Sequence, residues 1–324
     1  MAHSSHAVPG GTVAHVPPSP SPSFSLSPES GRPTRRVVGA AAVAGAAAGL
    51  LVAGSARPAA AHGRPRPPAP LPQAHAHNDY EHPRPLLDAL DHGFGSVEAD
   101  IWLVDGQLLV AHDEVDLDPA RTLEALYLDP LAARVRANRG TVHRRYGPDF
   151  QLLIDIKTPG DATYRELSRR LRPYRALFSS AALGRVRTRA VTAVISGDRA
   201  ARAPMEAERV RYAFYDGRPE DLGSAAPASF VPLISANWTS LFTWLGSGEF
   251  PAAERETLRR YVAAAHAAGQ RVRFWATPDL PGPEREAVWR ELLAAGVDHL
   301  NTDDLPGLAA FLGAQRDGRR RSGR

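Results

Sequence analysis

Between residues 73 and 315 the chain alternates short apolar runs with longer stretches whose apolar residues recur at helical spacing. The runs fall at residues 74–77, 96–103, 152–157, 190–195, 210–215, 230–235, 271–275 and 299–302, the length of strands rather than of buried helices. Helical patterns lie between them at residues 85–92, 164–174, 254–268, 284–295 and 305–312, several opened by Pro or closed by Gly. Alternation of this kind predicts a parallel sheet covered by helices. Eight strands in about 240 residues is the size and rhythm of a closed α/β barrel, a single (β/α)8 TIM domain. A doubly wound open sheet is the competing arrangement, but no Gly-x-Gly-x-x-Gly opens the first strand-to-helix turn. Val104-Asp105-Gly106-Gln107 reads as a tight reversal directly after the second strand.

The ends depart from this rhythm. Residues 1–31 are rich in Pro, Ser, Gly and Ala without a hydrophobic period, the composition of a disordered extension. Arg35-Arg36 then leads into an Ala, Gly, Val and Leu run, and Ala59-Ala60-Ala61 supplies a small-residue cleavage site. Residues 1–61 therefore read as a twin-arginine export leader and the mature protein as secreted or extracytoplasmic. The rival is an uncleaved leader serving as membrane anchor, disfavoured by the weak hydrophobicity of Ala and Gly. Residues 62–72 read as a Pro-rich linker, residues 73–315 as the folded unit and residues 316–324 as a solvated basic tail.

Composition narrows the chemistry. With no Cys, neither a disulfide framework nor a thiolate metal site is available, so any metal is held by oxygen or imidazole. The formal charge of +4 includes the arginines of the leader and tail, which leaves the middle near neutral and speaks against a nucleic-acid partner. Of 39 basic residues, Lys157 alone is Lys. In a chain that otherwise uses Arg throughout, a surviving Lys points to a place where a compact ammonium fits and a planar fork does not.

The candidate chemistry collects where a barrel would place it, at the carboxyl ends of strands. His75 and His77 close the first strand, Glu98 and Asp100 share one face of the second, and His112 follows the reversal after it. Asp155 and Lys157 stand in the same relation on the third strand, Trp275 ends the seventh, and Asn301 and Asp303 close the eighth. Three carboxylates on neighbouring strand ends suit one hard divalent cation, Mg²⁺ or Ca²⁺, rather than zinc. The plain alternative is that each acid pairs with an Arg in a structural network. His77 and His112 sit beside groups that can fix a tautomer and are the candidates for acid and base work. His75 competes with His77 for the first position, whereas His82, His92, His143, His266 and His299 lack acidic company in their settings. The aromatic segment around Trp238, Phe242 and Trp244 leaves two readings open, a lipid-facing mouth or ordinary packing.

These residues resemble the glycerophosphodiester phosphodiesterase superfamily, which includes phosphatidylinositol-specific phospholipase C-like enzymes and sphingomyelinase D. The matching pattern is a first-strand His, Gly93 five residues before Glu98, then Asp100, His112-Asp113, Asp155-x-Lys157, Trp275, and Gly296-Val297-Asp298 running to Thr302-Asp303. The resemblance implies a TIM barrel that hydrolyses phosphodiesters. It implies His77, His112 and Lys157 as catalytic, Glu98, Asp100 and Asp155 as ligands of one divalent cation, and Asn78 and Trp275 as substrate contacts. The expected partner is a small-molecule or lipid phosphodiester, with transient membrane-surface contact if the diester is a lipid.

The resemblance has departures. His-Arg-Gly and Glu-Asn-Thr elements of the superfamily are absent, and His77-Asn78-Asp79-Tyr80 stands in their place, a form similar to the branch named for altered inheritance of mitochondria protein 6. The short first loop is closer to sphingomyelinase D, so a phospholipase of that type is an alternative substrate reading. A non-catalytic binding protein on the same barrel is another, since fold does not fix function. A zinc amidohydrolase would explain His75-Ala76-His77, but it calls for further His ligands at later strand ends, where only His299 is available.

Overall fold

The computed structural model describes residues 69–322, and the expected twin-arginine leader lies outside the described residues. Eight strands form the barrel: β1 (Leu71–Ala76), β2 (Phe94–Val104), β3 (Phe150–Ile156), β4 (Val191–Gly197), β5 (Ala213–Gly217), β6 (Leu233–Asn237), β7 (Arg271–Trp275) and β8 (His299–Thr302). Each pairs in parallel with its neighbours in chain order. β1 pairs with both β8 and β2, and that closes the sheet. Closure leaves no exposed edge among these strands, so backbone groups are satisfied all the way round.

Alternation along the strands separates two environments. On β2, Val97, Ala99 and Ile101 point outward into the layer beneath the helices, while Ser96, Glu98 and Asp100 take the inner face. β3 does the same with Leu152, Ile154 and Ile156 outside and Gln151, Leu153 and Asp155 inside. The outer layer is one large apolar cluster, whereas the interior holds only a small one of Leu153, Val194 and Leu233. That small plug, each side chain worth about 1.5–3 kcal/mol when buried, lies among polar residues inside the barrel.

The covering helices follow from their spacing. Gly160–Leu171 buries Thr163, Tyr164, Leu167, Ser168 and Leu171, one stripe at three- and four-residue intervals. Pro283–Ala295 starts on Pro and stops at Gly296, whose φ of 85° is a left-handed cap that glycine adopts without strain. The reversal after β2 is a two-residue turn with positive φ at Asp105 and Gly106, leading to the antiparallel strand Gln107–Val110.

Several boundaries differ from the pattern-based expectation. β1 begins at Leu71, inside the segment expected as linker, because the Leu71 N–H is taken by the Gly93 carbonyl at 2.7 Å and its side chain is buried. The fifth run divides: Val210–Arg211 joins a small antiparallel sheet with Ser180–Ala182 and Arg185–Arg187, and β5 starts only at Ala213. β6 starts three residues and ends two residues downstream of its expected place. The last helix runs Leu305–Ser322, well past the apolar residues that predicted it and into the basic tail. Among the described residues no helix is long and apolar enough to cross a membrane.

Candidate active site

The inner face of β2 carries two carboxylates into the barrel, and each meets a different partner. Glu98 receives the Arg273 Nη2 at 2.5 Å and lies 3.3 Å from His75 Nε2. Arg273 comes from β7, two residues before Trp275, and its Nε also donates to Asn301 Oδ1 at 2.9 Å. Burial alone would raise the Glu98 pKa, but the Arg273 charge and the His75 bond hold it well below the usual carboxylate range. Glu98 is thus an ionised member of a closed, buried pair.

Asp100 is one step closer to the barrel mouth and is held differently. Its Oδ2 accepts from the Tyr80 hydroxyl at 2.6 Å and lies 2.9 Å from Lys157 Nζ, while its buried Oδ1 has no partner. Burial and the neighbouring Glu98 charge push its pKa up to about 7, against the opposing pull of Lys157. Asp155, level with Asp100 in the β2–β3 register, sits 3.1 Å from the same ammonium. Burial also raises the Asp155 pKa, and the two carboxylates together raise that of Lys157 despite its own burial. Gly197, at the end of β4 with φ of 78°, is required beside Asp155: a Cβ there would lie 2.7 Å from Asp155 Oδ1 and would strike the Ile156 backbone.

The first-strand histidines separate cleanly. His75 is fully buried, with Nδ1 2.7 Å from Ser96 Oγ, and burial together with Arg273 lowers its pKa to about 4. Its burial and its contacts with Ser96 and Glu98 favour the neutral ring and leave neither nitrogen turned to solvent. His77 lies just beyond β1, its backbone N–H on the Thr302 carbonyl and its Nδ1 2.8 Å from Asp303 Oδ1. Burial works against charge on His77, but the Asp303 bond and the field of Glu98 outweigh it and raise its pKa. Asn78 is left-handed at φ 46°, with Nδ2 3.4 Å from Asp303 Oδ2 and Oδ1 2.8 Å from the Tyr80 hydroxyl.

His112 follows the hairpin strand, which Trp102 pins by donating to the Ala111 carbonyl at 3.0 Å. Its ring is more than half exposed and faces Asp113 at 3.3 Å. Trp275 ends β7 beside Asn237 in the register and is 38% exposed. Hydrogen bonds and ion pairs thus link Glu98 with Arg273 and His75, Asp100 with Asp155, Lys157 and Tyr80, and Tyr80 through Asn78 and Asp303 with His77. His112 and Trp275 stand outside that network. Trp238, Phe242 and Trp244 resolve to packing: all three are buried, in ring contact with Phe250 or Phe274. Arg273, which the sequence reading missed, was detectable as the residue two before Trp275 and hence on its face.

The alignments of known proteins follow the same elements. Residues 69–216 match the AIM6-like phosphodiesterase domain, and residues 271–306 match the glycerophosphoryl diester phosphodiesterase family. An altered inheritance of mitochondria protein 6 from Eremothecium gossypii is 33% identical over 76% of this chain and 71% of its own length. The chain belongs to the altered inheritance of mitochondria protein 6 family. Other members align similarly, at 31% identity over 74% of this chain and 65% of the Lachancea thermotolerans protein, and at 30% over 71% of this chain and 81% of the Arthroderma benhamiae homolog. A glycerophosphoryl diester phosphodiesterase structure from Parabacteroides distasonis superposes with a TM-score of 0.45 at 13% identity, over 76% of this chain and 87% of that one. The first match takes in β1 to β5 with Glu98, Asp100, Asp155 and Lys157, and the second takes in β7 and β8 with Trp275 and Asp303. Family and barrel together support a phosphodiesterase-type function.

A divalent cation would have to be held by oxygen here. The donor chemistry fits, since Asp100 Oδ1 is buried without a partner and hard carboxylates adjoin it on β2 and β3. Among the described residues no three His, Asp or Glu side chains already converge as a metal cage, and Lys157 bridges two of the three candidates.

Proposed function

We propose that this chain is a phosphodiester hydrolase in which His77 and His112 divide the proton transfers and Lys157 holds phosphoryl charge. The observation that carries the reading is the Lys157 ammonium, the sole Lys of the chain, set between Asp100 and Asp155 and still a quarter exposed toward the mouth. A cation so placed can meet a phosphate oxygen without leaving its carboxylates. Cleaving a diester requires the attacking oxygen to lose a proton and the leaving oxygen to gain one, while negative charge shifts on the phosphoryl group. His77, backed by Asp303, suits one of these transfers, and His112, exposed beside Asp113, suits the other.

Asp100, Asp155 and Glu98, the last through the Oε1 that neither Arg273 nor His75 contacts, would supply the oxygen ligands of one Mg²⁺ or Ca²⁺, which when bound would neutralise further phosphoryl charge. Trp275, more than a third exposed at the end of β7, would meet an apolar part of the substrate, whether a small molecule or a lipid. The amidohydrolase alternative is disfavoured by His75, whose ring nitrogens are turned to Ser96 and Glu98 inside the barrel. The test is a panel of soluble and lipid phosphodiesters assayed with Mg²⁺, with Ca²⁺ and with EDTA, on the wild type and on His77→Ala and His112→Ala. The expected result is chelator-sensitive hydrolysis, with kcat reduced by on the order of 10² to 10⁴ in either variant. Wild-type rates in both variants would remove the histidines from the mechanism, and full activity in EDTA would remove the cation.

A further inference from the structure

The residues that replace the superfamily's usual first-loop elements do something specific in this fold. Tyr80 is buried in the short helix Asp79–Glu81, and its single hydroxyl proton is shared between two acceptors, Asp100 Oδ2 at 2.6 Å and Asn78 Oδ1 at 2.8 Å. Asn78 adopts a left-handed backbone, which Asn tolerates better than most L-residues, and this brings its amide to Asp303. Asp303 in turn holds His77 Nδ1 at 2.8 Å. A continuous line of side chains therefore runs from the floor of the site to the imidazole.

Both ends of that line are anchored. The Tyr80 carbonyl is held by Arg121 Nη2 at 2.5 Å, and the neighbouring Asp79 is buried beneath it, accepting from the Leu86 N–H at 2.5 Å and from the Tyr127 hydroxyl at 2.9 Å. At the other end Asp279 takes the Thr302 hydroxyl at 2.6 Å and the Asp303 N–H at 2.7 Å, fixing the backbone that carries the Asp303 carboxylate. His77 and Asn78 would otherwise be free at the end of a strand, where loop positions are mobile.

We propose that Tyr80, Asn78 and Asp303 are positioning residues: a hydrogen-bonded strut that fixes the His77 ring, Nδ1 inward and Nε2 toward substrate, relative to Asp100 and Lys157. Asn78 is then committed to the strut rather than to substrate. The inference rests on the reading of His77 as an acid or base, and the strut itself can be read without any substrate. Its physical basis is that a proton-transferring group must be held near hydrogen-bond distance of the reacting atom, and that the residue orienting it must itself be held in place.

The experiment uses Tyr80→Phe, which removes one buried hydroxyl and keeps the ring, with Asp303→Asn as the nearer break. In the wild type the His77 Nδ1–H, identified by its loss in His77→Ala, should give a slowly exchanging downfield proton resonance. Tyr80→Phe should broaden or shift it, and Asp303→Asn should abolish it. An unchanged His77 signal in folded Tyr80→Phe overturns the strut whether or not a substrate is known. On a cleaved diester, Tyr80→Phe should lower kcat about tenfold with KM nearly unchanged. In a His77→Ala background the same substitution should cost nothing further. An equal loss in both backgrounds would mean that Tyr80 acts through Asp100 and overturns the positioning role. Wild-type turnover in His77→Ala would instead defeat the acid and base reading while leaving the resonance test of the strut intact.

Discussion

Glu98 and Asp100 leave the same face of the same strand two residues apart, yet the barrel treats them in opposite ways. Glu98 meets a guanidinium and an imidazole and stays ionised; Asp100 meets a tyrosine and a shared ammonium, keeps an oxygen without a partner, and is pushed toward the neutral form. The deeper carboxylate is compensated by protein. The outer one is left incompletely compensated at the end of the barrel where ligands arrive, the arrangement expected of a site that completes itself on binding.

The largest effect should come from breaking the closed pair. Arg273→Met removes the guanidinium and leaves Glu98 buried beside a histidine that burial keeps neutral, at a cost of about 3–5 kcal/mol. Urea unfolding should show that loss, and combining the substitution with Glu98→Gln should recover part of it. A loss below about 1 kcal/mol would mean that water reaches Glu98 and that the two carboxylates are less different than their contacts imply.

Lys157→Met should do the reverse. Asp100, already pushed toward the neutral form, can take up a proton when the ammonium is lost, so the stability loss should stay below that of Arg273→Met. The rate on a cleaved diester should fall by on the order of 10² to 10³, the usual loss when one group facing developing charge is removed. Lys157→Arg should also be damaging, because a planar fork cannot sit between Asp100 and Asp155 as a compact ammonium does. A variant that lost stability and kept its rate would move Lys157 to the structural side of the comparison.

The difference between these two sites was only partly legible in the sequence. Alternation along β2 and β3 gave the shared faces of Glu98 with Asp100 and of Asp155 with Lys157, because a two-residue period survives any error in strand ends. The same period did not reveal that Arg273 would reach Glu98, since that contact joins β7 to β2 across the barrel and depends on closure and stagger. The Tyr80 hydroxyl was equally hidden: nothing local shows that a residue of a short helix will point back to a strand twenty positions on. Where the strand ends drifted, at β5 and β6, Asp216 and Asn237 escaped notice although both lie at strand ends. The aromatic run from Trp238 to Trp244 was ambiguous because a ring that packs and a ring that meets lipid share one composition, and only the burial of these rings decides between them.

The smallest expected effect is the most direct measure of how Asp100 is held. With a folded pKa near 7 and an ordinary value of 3.8, the native protein keeps a proton through a range where the unfolded chain has lost it. The Asp100 contribution to stability should therefore fall as pH rises between about 4 and 7, by at most about 1.4 kcal/mol per pH unit for one such proton, while His75, with its pKa lowered to about 4, contributes the opposite slope up to its ordinary value. Asp79, also raised to about 7 by burial, contributes a slope of the same sign as that of Asp100. Glu98 contributes the opposite sign, because a depressed carboxyl stabilises above its unfolded pKa and loses that only as pH drops through the lower folded value. Its transition lies at more acid pH than this window. Asp100→Asn cannot ionise and can still accept from Tyr80, so its stability relative to the wild type's should rise between pH 5 and 7, the contributions of Asp79 and His75 being common to both. Urea midpoints at intervals of half a pH unit measure this, in EDTA and in Mg²⁺. Parallel curves for the two proteins in EDTA would show that Asp100 is as well compensated as Glu98. Curves that differ in EDTA and converge in Mg²⁺ would show that a cation supplies the missing charge, because an ion on the carboxylate cancels the advantage of the proton.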